Sequence, residues 1–205
     1  MITIIDYGLG NILSFYNLYK KINIKLNVAR TSSDLEGATK LILPGVGSFD
    51  HAMELLNESG MRPEIENLVF QKKIPILGIC VGMQFLSNGS EEGSLPGLGW
   101  IPGFVKKFAI LDHGKKLILP HMGWNDVIPK EDENPLFRNF KGDCRFYFLH
   151  SYYFECKDIA HSIANTEYGV NFSSAVNSQN IYGAQFHPEK SHHYGLQLLE
   201  NFAKL

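Results

Sequence analysis

Apolar residues fall in short unbroken runs through the first eighty positions and in scattered, alternating runs after them. Ile2 to Ile5 is a β-branched run that predicts a buried strand, and Asp6-Tyr7-Gly8-Leu9-Gly10-Asn11 after it predicts a tight glycine loop. From Asn11 to Ile22 the spacing of Ile12, Phe15, Tyr19 and Ile22 predicts one apolar face of a helix. Lys25 to Arg30 predicts a second strand, and Thr31 to Ala38 a polar connection with one helical turn. Lys40 to Leu43 predicts a third strand, followed by Pro44-Gly45-Val46-Gly47-Ser48. Helices are expected over about Asp50–Asn57 and Arg62–Lys73, with Pro63 suited to a first turn. Ile76 to Ile79 is the fourth strand.

Strands alternating with helices in this half predict a doubly wound, mostly parallel central sheet with helices on both faces. The second half predicts a smaller antiparallel region. Gly93 to Gly103 reads as loop. Short strands are expected near Phe104–Phe108, Lys115–Leu119, Asn125–Ile128, Phe146–Leu149, His161–Ala164, Ser173–Val176 and Ile181–Gln185. Tyr194 to Leu205 closes as an amphipathic helix, with Leu198, Leu199, Phe202 and Leu205 on its apolar side. No repeat or linker interrupts the pattern, so one α/β domain over residues 1–205 is expected.

Composition narrows the function classes. At 205 residues, 44% hydrophobic and 20% charged, the chain has the balance of a soluble globular protein. A net charge of -2, without long basic runs, argues against nucleic acid as a partner. No apolar stretch reaches membrane-spanning length, and Met1 to Asp6 lacks the basic lead of a signal peptide. Cys80, Cys144 and Cys156 form neither a C-x-x-C pair nor an even framework, which fits a reducing cytoplasm. Although His192 and His193 are adjacent, they belong to no cluster at ligand spacing, so no metal and no cofactor is expected.

The densest chemical signal is Gly78-Ile79-Cys80-Val81-Gly82, at the end of the fourth strand. Glycines two before and two after a Cys allow the sharp strand-to-helix turn of a nucleophile elbow, with a thiol in place of the hydroxyl. At such a turn the sulfur is expected to stand exposed, beside helix N-terminal N–H groups that favour thiolate. A buried Cys acting as a small hydrophobe is the alternative. In Gln185-Phe-His187-Pro-Glu189-Lys190, extended backbone puts His187 and Glu189 on one face, and Pro188 disfavours helix at His187. The carboxylate can then orient the imidazole as a general base. A loop His beside a surface Glu fits the same three residues. The Gly45-Val46-Gly47 loop can turn N–H groups toward a substrate oxygen, with Val81 supplying another, or it is an ordinary glycine turn. Gly8-x-Gly10 matches only part of a dinucleotide fingerprint, because Leu13 stands where the third glycine belongs.

Pro44-Gly-Val-Gly, Gly78-Ile-Cys-Val-Gly-Met-Gln84 and Gln185-Phe-His-Pro-Glu-Lys190 together resemble the three signatures of the class I, triad-type glutamine amidotransferases. Asp6-Tyr-Gly-Leu-Gly-Asn11, Pro120-His-Met-Gly-Trp-Asn125 and His150-Ser-Tyr-Tyr153 narrow the likeness to glutaminase subunits of imidazole glycerol phosphate synthases, over essentially the whole chain. The resemblance implies a Cys80, His187 and Glu189 triad acting on L-glutamine. It also implies an oxyanion hole from Gly45, Val46, Gly47 and Val81, and Gln84, Glu92, Ser151 and Tyr152 around the substrate. A (β/α)8-barrel cyclase partner that receives the ammonia is implied as well, with Asn11, Trp124, Asn125 and Lys190 near the shared face. Val81, Gly97-Leu-Gly-Trp-Ile101 and Ser191-His-His-Tyr-Gly-Leu-Gln197 instead look like a paralogous branch that supplies ammonia for sugar amidation in surface-polysaccharide pathways. A binding module that keeps the fold without the chemistry is the remaining alternative.

Overall fold

A computed structural model describes residues 1–109, 111–112, 115–130, 134–140 and 144–205. Its parallel side is built from β1 (Ile2–Ile5), β2 (Leu26–Ala29), β3 (Lys40–Gly45) and β4 (Ile76–Cys80), linked by α1 (Ile12–Lys21), α2 (Phe49–Glu58) and α3 (Arg62–Glu66). The one-turn helix α4 (Val81–Gln84) follows β4 directly. After it come β5 (Gly103–Lys107), a small hairpin of β6 (Leu111–Asp112) and β7 (Lys115–Lys116), then β8 (His121–Pro129), β9 (Cys144–His150) and β10 (Tyr152–Cys156). The chain ends with β11 (Ser162–Tyr168), β12 (Val170–Ser178), β13 (Ile181–Ala184) and α5 (His192–Ala203).

Among the described residues the main sheet runs β2-β1-β3-β4-β13-β12-β11-β8-β9, with β10 joining β12 to β5. The first five of these strands are parallel, and β12 onward pair antiparallel. The fully buried β1 and β4 are apolar throughout except for Thr3, as suits strands covered on both faces. From β1 the chain steps to β2 on one side and from β3 to β4 on the other. Right-handed crossovers therefore put α1 and the α2–α3 connection on opposite faces. Tyr19 of α1, fully buried, donates its hydroxyl to the Leu199 carbonyl of α5 at 3.2 Å, so those two helices share a face. On the other face Phe49 of α2 meets Phe85 edge-on at 5.6 Å.

The doubly wound expectation holds, and the boundaries move where local pattern was weakest. The helix expected over Arg62–Lys73 is α-helical only to Glu66 and continues as a wider π-type turn over Asn67–Gln71. Lys115–Leu119 is strand only at Lys115–Lys116. The strand near Asn125 starts four residues earlier, at His121, because its pairing with β9 runs from His121 opposite His150 to Val127 opposite Cys144. β10 was not foreseen, since Tyr152 to Cys156 continues an aromatic run without a turn signal. No helix among the described residues is long and apolar enough to cross a membrane.

Candidate active site

Three parallel strands, β3, β4 and β13, end at one rim, and their register brings the candidate residues together. Gly45 lies opposite Cys80, and Ala184 opposite Ile79, so the chain leaving β13 passes beside the Cys80 turn. Cys80 has φ 55° and ψ -112°, a backbone that L side chains rarely adopt. The flanking glycines explain how it is held. A Cβ on Gly82 would meet the Leu43 carbonyl oxygen at 2.0 Å, and one on Gly78 would meet the Gly82 carbonyl oxygen at 2.5 Å. Gly45 presses on the same turn, since its Cβ would lie 2.4 Å from the Gly82 nitrogen. Backbone packs on backbone here, and the strained conformation is what lets the strand reverse into α4.

Two expectations about Cys80 need correction. Cys80 is buried, not exposed, because the continuation of β13 and the end of β9 close around it. Its sulfur lies 3.9 Å from the Leu149 carbonyl oxygen and 3.8 Å from Gln185 Nε2. The helix after it lasts four residues, too short for a sizeable aligned dipole. The charge complement at the sulfur falls instead on His187 and Gln185.

His187 and Glu189 come together by a route the alternation argument did not foresee. His187 is extended, but Pro188–Lys190 makes a 3₁₀ turn that folds the carboxylate back onto the ring. His187 Nδ1 lies 2.9 Å from Glu189 Oε1, with both side chains buried. The His187 N–H donates to the Tyr147 carbonyl at 2.8 Å, and the Ser191 hydroxyl donates to the His187 carbonyl at 2.6 Å. Burial alone would push the imidazole down; the Cys80 sulfur and the Glu189 carboxylate outweigh it and hold His187 up at about 10. A thiol, an imidazole and a carboxylate in this order can attack an acyl carbon, deliver a proton to the leaving group and then activate water.

The cavity beside the sulfur is about 280 Å³. Val46, Gly47, Val81, Gln84, Glu92, Ser151, Tyr152 and Lys190 line it with Cys80 and His187. Gly45 does not line it; that residue serves the packing of the elbow. The Tyr7 hydroxyl donates to the Pro44 carbonyl at 2.7 Å, and Gly10 packs on the Pro44 ring where a Cβ would stand 2.7 Å from Pro44 Cβ. The first glycine loop therefore buttresses the second. Glu92 accepts the Phe49 N–H at 2.9 Å, and its partial burial raises its carboxyl above the usual range. Asp50 holds the neighbouring loop by accepting the Ser94 and Leu95 N–H groups at 2.8 and 3.1 Å. Gln84 is buried rather than facing solvent.

The residues expected near a partner lie around the same rim. Trp124 is 40% exposed, stacks on His192 at 5.3 Å, and stands with exposed Met122 and Leu149. Lys190 Nζ sits 5.6 Å over the Tyr147 ring, which Trp124 meets edge-on. Asn11 caps α1, which packs beside the Pro188–Lys190 turn. Half-buried Asn125 commits its amide within the chain, donating to the Glu167 carbonyl at 3.0 Å and meeting His121. Sequence reasoning assigned no role to Gln185, Leu149 or His150. Gln185 sits two residues before His187, and His150 is next to Ser151-Tyr152, so adjacency was the available signal. Among the described residues no group of three or more His, Cys, Asp or Glu could hold a metal ion.

Comparison with known proteins agrees with this geometry. The family model "Glutamine amidotransferase class-I" matches residues 3–205, and the chain belongs to that family. Its relatives include "Imidazole glycerol phosphate synthase subunit HisH" of Bdellovibrio bacteriovorus, 57% identical over 205 residues with both chains covered in full. The protein of the same name from Leptospira interrogans is 52% identical, again over the full length of both. Among solved structures, PurLQS from Thermotoga maritima superposes with a TM-score of 0.75 at 18% identity, covering 99% of this chain and 97% of that one, a likeness of fold.

Proposed function

We propose that this chain is the glutaminase subunit of an imidazole glycerol phosphate synthase, built as one domain over residues 1–205. It hydrolyses L-glutamine to glutamate and passes ammonia to a (β/α)8-barrel cyclase partner of the HisF type in histidine biosynthesis. The observation that carries the chemistry is His187, seated between Cys80 and Glu189 at the wall of one cavity. The full-length likeness to proteins named HisH supports the pathway.

In this reading Cys80 Sγ attacks the side-chain amide carbon of glutamine. Val81 N–H, with N–H groups of the Val46-Gly47 loop, meets the charge that develops on oxygen. His187 protonates the departing ammonia, leaving a glutamyl thioester, then takes a proton from water as it attacks that thioester. Glu189 stabilises the imidazolium formed in each half-reaction. Gln84, Glu92, Ser151 and Tyr152 hold the substrate, and no cofactor is required. The partner sits on the rim formed by Trp124, Met122, Leu149, Asn11 and Lys190, an apolar patch with polar residues around it. That face surrounds the cavity mouth, so ammonia leaving Cys80 enters the partner rather than solvent.

Complementation of a histidine auxotroph lacking this subunit tests the assignment. Rescue by the wild-type gene, and none by Cys80→Ala, is the expected result. Failure of the wild type, with Cys80 still labelled by a glutamine-like diazo ketone, would keep the glutaminase and move the ammonia to sugar amidation. Failure of both rescue and labelling would return the chain to the status of a binding module.

A further inference from the structure

Two histidines that the proposed reaction does not use form a buried pair at the cavity wall, where His150 lines the cavity and His121 stands behind it. His121 opens β8 and His150 closes β9, opposite one another in the ladder. His150 Nδ1 lies 2.7 Å from the Tyr152 carbonyl oxygen, and His150 Nε2 lies 2.9 Å from His121 Nδ1. His121 Nε2 in turn lies 3.1 Å from the side-chain nitrogen of Asn125.

Donor and acceptor roles can be assigned from this network. A carbonyl oxygen only accepts, so His150 carries its hydrogen on Nδ1 and has a lone pair on Nε2. That lone pair requires N–H at His121 Nδ1, which leaves His121 Nε2 to accept from Asn125. The Asn125 amide can be turned only one way, because its oxygen accepts the Asp126 N–H at 2.8 Å while its nitrogen donates to the Glu167 carbonyl. Burial pushes His150 down to about 3 and His121 down to about 4, so both rings are neutral in ordinary conditions. The chain therefore points in a single direction, from Asn125 toward the Tyr152 carbonyl.

The same carbonyl also accepts Gln84 Nε2 at 3.1 Å. The second hydrogen on that nitrogen goes to Gln185 Oε1 at 3.1 Å, and Gln185 Nε2 points at the Cys80 sulfur. Both hydrogens of the Gln84 amide are thus committed, and its carbonyl oxygen is the atom this chain leaves for the cavity that Gln84 lines. Packing alone does not require imidazoles here. His121 stacks on Tyr168 at 4.0 Å and on Phe148 at 4.7 Å, a slot that a phenyl ring would fill without buried nitrogens to satisfy.

We propose that His150, backed by His121, is a positioning residue of this site: the pair pins the Tyr152 carbonyl, which turns the Gln84 carbonyl oxygen toward the substrate. The inference rests on the glutaminase reading above. His121 does not line the cavity; His150 does, but both of its ring nitrogens are committed, to the Tyr152 carbonyl and to His121, so it acts through Tyr152.

The test is steady-state glutaminase kinetics of the full chain with its ligand-loaded cyclase partner. His150→Leu removes the donor, whereas the Asn side chain of His150→Asn places an N–H near the position of Nδ1. Loss of one such bond is expected to raise KM for glutamine about fivefold to tenfold in His150→Leu. His150→Asn should return KM to within about twofold of wild type. The rate of Cys80 alkylation by iodoacetamide, which needs no Gln84, should stay within about threefold throughout. A KM unchanged in His150→Leu would overturn the proposal. So would equal losses in both variants together with equal falls in Tm, because that is the signature of packing alone. If His150→Leu does not fold, His121→Phe keeps the stacked ring and removes both nitrogens; a KM rise of about threefold supports the proposal, and no rise overturns it. A wild-type chain without glutamine turnover would instead bring down the glutaminase reading, and this inference with it.

Discussion

The parallel and antiparallel regions of this molecule contribute to one cavity by different physical means. On the parallel side, Cys80 is placed by backbone pressed against backbone, with Gly45, Gly78 and Gly82 leaving no room for a single methyl group. On the antiparallel side, Leu149 to Tyr152 reach the cavity through hydrogen bonds made by carbonyls and side chains. Steric placement is all-or-none, because packed backbone cannot yield by an ångström. Hydrogen-bonded placement is graded, since a lost bond is replaced in part by water or a neighbour. The surroundings of Cys80 should therefore be intolerant of change, and the Leu149–Tyr152 side of the cavity adjustable.

The largest effect expected is on the reaction itself. Cys80→Ala should lower glutamine hydrolysis about a thousandfold or more, and His187→Ala nearly as much, because members of a catalytic unit act non-additively. Glu189→Gln should cost less, since it keeps the shape of the turn and leaves the Cys80 sulfur, the larger influence, to hold His187 up. Glutaminase assays and diazo-ketone labelling of the same preparations would check all three. Label on Cys144 or Cys156 in place of Cys80, or near wild-type turnover of both His187→Ala and Glu189→Gln, would contradict the triad.

A pair of glycine substitutions sharpens the comparison directly. In Gly82→Ala the new methyl would sit 2.0 Å from the Leu43 carbonyl oxygen, so β3 or the elbow must move. A stability loss of about 3 kcal/mol or more is expected. Gly123 on β8 has φ 125° with nothing within 4 Å of an added Cβ. Gly123→Ala should therefore show backbone strain alone, about 1–2 kcal/mol. Denaturant midpoints of the two variants measure the difference, and equal losses would erase the distinction between the two regions.

The same contrast explains what could be foreseen from the chain. The elbow was legible because its cause is local: Gly78, Cys80 and Gly82 lie within five residues, and a buried apolar run feeds them. Parallel strands with intervening helices were legible for a similar reason, since period and breakers sit side by side in sequence. The route joining His187 to Glu189 was not, because Pro188 suits either an extended segment or the first position of a 3₁₀ turn, and packing of Gly195 onto the Pro188 carbonyl favours the turn. The burial of Cys80 depends on Leu149 and Gln185, 69 and 105 residues away in sequence, and no local pattern encodes such distances. Asn125 reads as a polar residue beside an exposed Trp; only the pairing of β8 with β9 and β11 reveals that its amide is committed to Glu167 and His121.

The smallest effect expected is in acid, and it belongs to the antiparallel side. His150 is buried, and that burial pushes its folded-state pKa down to about 3, against about 6.5 for an unfolded chain. Below pH 6.5 the unfolded state binds a proton that the folded state refuses. Stability is therefore fully present above about 6.5 and falls as pH drops through that value toward about 3. The slope from this one group approaches about 1.4 kcal/mol per pH unit once the unfolded histidine is largely protonated. His150→Asn has nothing to titrate there and keeps a donor for the Tyr152 carbonyl. Its stability should fall less steeply than that of the wild type between about pH 6 and pH 4, although it starts from a slightly lower value at pH 7. Urea midpoints at half-unit pH steps would show the two curves converging as the pH falls. Parallel curves would mean that His150 is protonated inside the fold, and the one-way hydrogen-bond chain from Asn125 to Tyr152 would then be lost.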